Sequence, residues 1–97
     1  MRFFRSFHVS FHHAVHYYEA IDKKLARRLI EAVDRAQRDI IRFPKIGKQI
    51  KNGREYLLTG FPYSFCYQED LDGEPVAVRL FHYKQNGPRI SDGETSY

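Results

Sequence analysis

The chain has no tryptophan, one cysteine, one methionine and four prolines in 97 residues. A single cysteine rules out any disulfide framework within one chain, and Cys66, inside an expected strand, reads as a small buried residue. No stretch approaches the length of a membrane span. The N-terminal "MRFFRSFHVSF" is interrupted by Arg2, Arg5, Ser6 and His8, so it lacks the continuous apolar segment of a secretory leader. A soluble cytoplasmic protein that does not engage a membrane is the expectation. There is no internal repeat, no phosphate loop, and no Ser-His-Asp order or paired-carboxylate arrangement of the kind hydrolases use.

What is present in quantity is Phe and Tyr, 8 and 7 of them, making 15% aromatic content within 42% hydrophobic. At this length the chain holds one domain, residues 1–97, with one modest core rich in aromatics. Charge is also abundant but unevenly placed. The formal net charge is +4. From Ile21 to Arg54 there are eleven Lys and Arg against four acids. The rest of the chain holds five basic residues and eight acids. A basic middle suits an acidic protein or a nucleic acid, and equally a solvated helix face.

Alternation of Phe3, Phe7 and Val9 with Arg2, Ser6, His8 and Ser10 predicts a half-buried strand over Arg2–Ser10. Ser10 would then cap a short helix whose apolar residues Phe11, Ala14, Val15, Tyr18 and Ile21 share one side. Asp22 caps a longer helix carrying Leu25, Leu29, Ala32, Val33, Ala36, Ile40 and Phe43, which Pro44 ends. On its other side Glu31 with Arg35 and Asp34 with Arg38 stand acid-first at i, i+4. A basic loop follows, then three strands near Arg54–Thr59, Tyr63–Glu69 and Val76–Tyr83. They are separated by the Gly60-Phe61-Pro62 corner and the Asp72-Gly73 turn. The fold class is α+β in the order β-α-α-β-β-β: a helical hairpin on one face of a mostly antiparallel four-stranded sheet. The other face is left open for the surplus aromatics. Residues from about 85 to 97 read as an irregular tail.

Among chemistry-bearing residues, His12 and His16 stand at i, i+4 with His13 beside them, but no third ligand converges on them, so no metal and no cofactor are expected. His82 reads as a general base if it faces the open side near Tyr83 or Arg79, and otherwise as a satisfied structural histidine. Arg54 and Arg79 suit phosphate, or carboxylates such as Glu55 and Glu69.

The run "AVHYYEAID", the helix ending in "RFP", then "NGREYLLTGFPYSFCY" and "VAVRLFHYK" with a following "GP" together resemble the RelE/ParE superfamily of toxins. The resemblance covers nearly the whole chain. It is most specific at Tyr17-Tyr18-Glu19, Gly53-Arg54, Phe61-Pro62-Tyr63 with Tyr67, and His82. It implies a small cytoplasmic toxin of a type II toxin–antitoxin pair, a ParE-like plasmid stabilisation protein, neutralised by a cognate antitoxin in a hetero-oligomer. Branches of the family differ in target. The RNA-cleaving branch tends to carry basic residues where this chain has Glu55 and Ser64. The gyrase-type branch ends its last strand with His, paired Arg and Pro, where this chain has His82, Lys84, Gln85 and Pro88.

These departures favour action by binding a cellular target, DNA gyrase among them, over catalysis. The alternatives are a ribosome-dependent, metal-independent mRNA endoribonuclease using Arg54, Arg79, His82, Lys84 and Arg89, with Tyr97 in the tail, or a family member without toxicity. The antitoxin is expected to meet the basic residues Lys23, Lys24, Arg27 and Arg28, together with Lys45, Lys48 and Lys51, and the aromatics Tyr56, Phe65 and Tyr83.

Overall fold

In the computed structural model, the structure describes residues 1–84. Two helices and five strands alternate as β1 (Arg2–Phe3), α1 (Arg5–Glu19), α2 (Lys23–Arg42), β2 (Lys48–Ile50), β3 (Gly53–Leu57), β4 (Tyr63–Glu69) and β5 (Pro75–His82). The strands form one sheet in the order β1-β5-β4-β3-β2, antiparallel throughout except that β1 runs parallel to β5. The α+β class and the helical hairpin therefore stand, while the four-stranded sheet becomes five-stranded and mixed.

The largest departure is at the N-terminus. Helix α1 begins at Arg5, so the expected strand over Arg2–Ser10 shrinks to two residues, and Ser10 lies inside the helix rather than at its cap. The physical reason is a longer stripe. Phe7, Phe11, Ala14 and Tyr18 follow one another at helical spacing, with Phe7 and Ala14 buried, whereas Val9 of the alternating pattern points to solvent. Ring packing ties that stripe to the sheet, Phe7 sitting 4.9 Å from Phe65 between centroids.

Helix α2 forms as its pattern dictates. The Asp22 carboxylate accepts from the Lys24 amide at 2.9 Å, capping the helix. Leu29, Ala32, Val33, Ala36 and Ile40 are buried against the sheet. Phe43 falls beyond the last helical residue and is 57% exposed instead of joining the stripe. Asp34 pairs with Arg38 at 3.2 Å, and among the described residues no Glu31–Arg35 pair closes.

The basic loop also holds more order than its composition suggests. Lys48–Ile50 pairs with Gly53–Glu55 as a fifth strand. A buried hydroxyl fixes the approach to it: Tyr67 Oη donates to the Pro44 carbonyl at 2.6 Å and accepts from the Gly47 amide at 3.0 Å. Gly47 has no room for a side chain, since a Cβ there would lie 2.7 Å from that hydroxyl. Gly53, at φ 147°, turns the chain into β3 with the Tyr67 backbone against it.

Register decides which side chains share a face. Tyr63, Phe65 and Tyr67 of β4 lie in the core with the helices, together with their neighbours Tyr56, Ala77 and Leu80. Glu55, Ser64, Cys66, Arg79 and Phe81 stand on the opposite face. Several of these are buried too, including Glu55, Ser64 and Phe81, so this face is not the open aromatic platform expected from composition.

Candidate functional site

The candidate cleavage residues divide between the two faces. Arg54 is on the helix side, opposite Tyr67. Its Nε meets Glu69 at 3.2 Å, and its Nη1 donates to the Gly47 carbonyl at 2.9 Å and the Lys45 carbonyl at 3.5 Å. That guanidinium braces the loop between α2 and β2. Arg79 pairs with Cys66 on the far face, its guanidinium 4.9 Å from the centre of the Phe81 ring. His82 lies opposite Tyr63, ring centroids 4.8 Å apart and edge to face. Lys84 is exposed just beyond β5, and Arg89 and Tyr97 lie outside the described residues. Arg54 and Arg79 therefore do not converge on one substrate.

The far face centres on an acid. Glu55 is 3% exposed and accepts from the Ser64 hydroxyl, itself fully buried, at 3.3 Å. The two positions at which the chain departs from the RNA-cleaving pattern are thus neighbours in space, and both lack positive charge. Cys66 lies beside them, buried, its thiol toward the Ser64 carbonyl at 4.0 Å.

Arg79 and His82 do meet other residues at the β5 edge. A groove of about 590 Å³ runs between α1 and β5, and it is lined also by Arg5, Ser10, His13 and Tyr63. Helix α1 substitutes there for a neighbouring strand. Ser6 Oγ donates to the Val78 carbonyl at 2.6 Å, where the ladder with β4 is broken by a bulge, and Ser10 Oγ accepts from the Leu80 amide at 2.9 Å. Burial foremost, with Tyr18 and Tyr17 nearby, pushes the Tyr63 hydroxyl up to about 12, so it stays protonated near neutral pH and is no base there. Reading Arg2–Ser10 as a strand concealed Arg5, Ser6 and Ser10 as members of this groove; the helical spacing from Phe7 onward was the signal for them.

The expected partner residues also separate. Lys23, Lys24, Arg27 and Arg28 are exposed in the first half of α2, and Lys45, Lys48 and Lys51 are exposed after it. Phe65, 0% exposed, belongs to the core and meets no partner. Tyr56 faces α2, donating its hydroxyl to Asp39 at 2.9 Å, and this pairing together with burial raises its pKa, burial foremost. Tyr83 is half-buried, with its amide donating to the Pro62 carbonyl at 3.2 Å. The large apolar groups that reach solvent lie elsewhere, Phe43 and Ile46 among them.

His12, His13 and His16 are exposed along α1, and among the described residues no group of three or more His, Cys, Asp or Glu could hold a metal ion. No helix among the described residues is long and apolar enough to cross a membrane. Comparison with protein-family models, with curated proteins and with solved structures finds no match to the chain.

Proposed function

We propose that the chain is the toxin of a type II toxin–antitoxin pair of the RelE/ParE kind, acting by binding a cellular target, of which DNA gyrase is one, and neutralised by a cognate antitoxin. The sequence resemblance suggests the family. The observation that carries binding over cleavage is the division of the sheet: Arg54 is engaged by Glu69 and two carbonyls on one face, while Glu55 and Ser64 occupy the centre of the other. A scissile phosphate needs converging positive charge as its own charge develops, and Arg54 and Arg79 stand on opposite faces of the sheet. The basic outer surface of α2 supports an acidic protein partner.

Induction of this chain alone in a bacterial host tests the reading, with growth, supercoiling by purified gyrase, and mRNA integrity on translating ribosomes as the readouts. Arrested growth with intact mRNA is the expected result, and inhibited supercoiling would name gyrase as the target. Codon-dependent cleavage by the purified protein would replace this reading with the ribonuclease one. Normal growth on induction would mean a fold without toxicity.

A further inference from the structure

Four cations stand in a straight file on α2. Lys24, Arg28, Arg35 and Arg42 follow at offsets of 0, 4, 11 and 18 residues, which at about 100° per residue brings all four within roughly 40° of one line, over about 27 Å of helix. All four are exposed. The ion pairs among the described residues leave each of them without a carboxylate. Glu31 stands on the same line between Arg28 and Arg35 without closing an ion pair to either, so the file carries four cations against one acid, a surplus that a partner's carboxylates would complement.

The file ends at an apolar cleft. Phe43, Pro44 and Ile46 wall one side and the β4–β5 hairpin, through Glu69 and Gly73, the other, around a volume of about 730 Å³. Phe43 and Ile46 are 57% and 40% exposed. Leu71, in the hairpin turn, is wholly exposed. Two cations mark the rim: Arg42 lies 5.4 Å from the centre of the Phe43 ring, and Lys45 reaches Glu69 at 3.7 Å while remaining largely in solvent. Exposed apolar surface beside a surplus of positive charge marks a surface made for a partner.

We infer that the file and the cleft form one docking track for an acidic, amphipathic protein segment. Its carboxylates meet Lys24, Arg28, Arg35 and Arg42 in turn, and a bulky apolar side chain at its end fills the cleft behind Phe43. The apolar end of the track favours a protein over a nucleic acid, whose phosphates would use the file and leave the cleft empty. This inference rests on the proposed partnership with an acidic protein and specifies where on the chain that partner sits. It moves the apolar anchor from the sheet, where Phe65 is inaccessible, to the foot of α2.

The probe is the purified product of the gene adjacent to this one, titrated against the wild-type chain and two variants, Arg28→Glu with Arg35→Glu, and Phe43→Ser with Ile46→Ser. All these positions are exposed, and a preserved thermal midpoint confirms that each variant folds. The expected result is a loss of at least tenfold in affinity for each variant, with the salt dependence of binding reduced in the charge variant and retained in the apolar one. Wild-type affinity in the Phe43/Ile46 variant overturns the track and leaves the proposed function standing. Failure of the wild-type chain to bind the probe removes both the track and the partner reading. Two further results would also overturn the track: a wild-type dimer on sedimentation that dissociates in the Phe43/Ile46 variant, which makes a second copy the occupant, and duplex DNA bound as tightly as the protein probe.

Discussion

Tyr67 joins core and loop through one atom. Its ring is buried in the core, while its hydroxyl serves both the Pro44 carbonyl and the Gly47 amide in the segment that carries α2 into β2. Tyr67→Phe keeps the ring and removes both partners, leaving a buried amide and a carbonyl unsatisfied. The expected cost is about 2 kcal/mol, readable as a lower midpoint in urea at unchanged slope. Tyr63 makes a different residue-scale prediction. Its pKa stands at about 12, against an ordinary 10.0, because burial disfavours the phenolate. A raised folded pKa means that the unfolded chain loses this proton first. Its contribution is therefore complete below pH 10 and falls as pH climbs towards 12, by up to roughly 2 to 3 kcal/mol. Unfolding followed over that range should show Tyr63→Phe losing less stability than the wild type; equal losses would place the alkaline transition elsewhere.

At the scale of elements, the seam between α1 and β5 has the most to say about both stability and legibility. Ser6 and Ser10, one turn apart, supply hydrogen bonds that an edge strand would otherwise supply, to the Val78 carbonyl and the Leu80 amide. Replacing both by Ala should cost about 1 to 3 kcal/mol and speed hydrogen exchange of the Leu80 amide, whereas exchange in the middle of β4 should follow global unfolding alone. This seam was hard to read in advance because the first ten residues satisfy two periods at once. Phe3, Phe7 and Val9 fit a strand, while Phe7 with Phe11 and Ala14 fits a helix, and only the tertiary partners Phe65 and Leu80 decide between them. Helix α2 carried its Asp22 cap, one clean stripe and a proline stop, so its ends were legible. β4 and β5 were bounded by turn residues and came out within a residue. β2 was not legible, since "KQI" has too few apolar residues to signal a strand and is held by its pairing with β3. The site was least legible where burial matters: composition places spare aromatics on a sheet face, but nothing in sequence tells that Phe65 is core and that Phe43 is not.

For the whole molecule the governing asymmetry is electrostatic. The segment from Ile21 to Arg54 holds eleven Lys and Arg against four acids, most of them on the outer surface of α2 and the loop after it. A field of one sign concentrated on one side raises the rate at which an acidic partner arrives in a productive orientation. Apolar contacts at Phe43 and Ile46 act once it has arrived, and hold it there. The two kinds of contact should therefore separate kinetically. Removing charge at Lys23, Lys24, Arg27 and Arg28 together should lower the association rate constant with the adjacent-gene product by about tenfold at low salt. The deficit should shrink as added salt shortens the screening length to about 8 Å near 0.15 M, with dissociation little changed. The Phe43→Ser, Ile46→Ser variant should show the reverse, arriving at the wild-type rate and leaving at least tenfold faster. Stopped-flow mixing at two salt concentrations reads both constants. If the charge-removed variant associates at the wild-type rate at low salt, the basic surface of α2 is a solvated helix face and steering has no part in recognition.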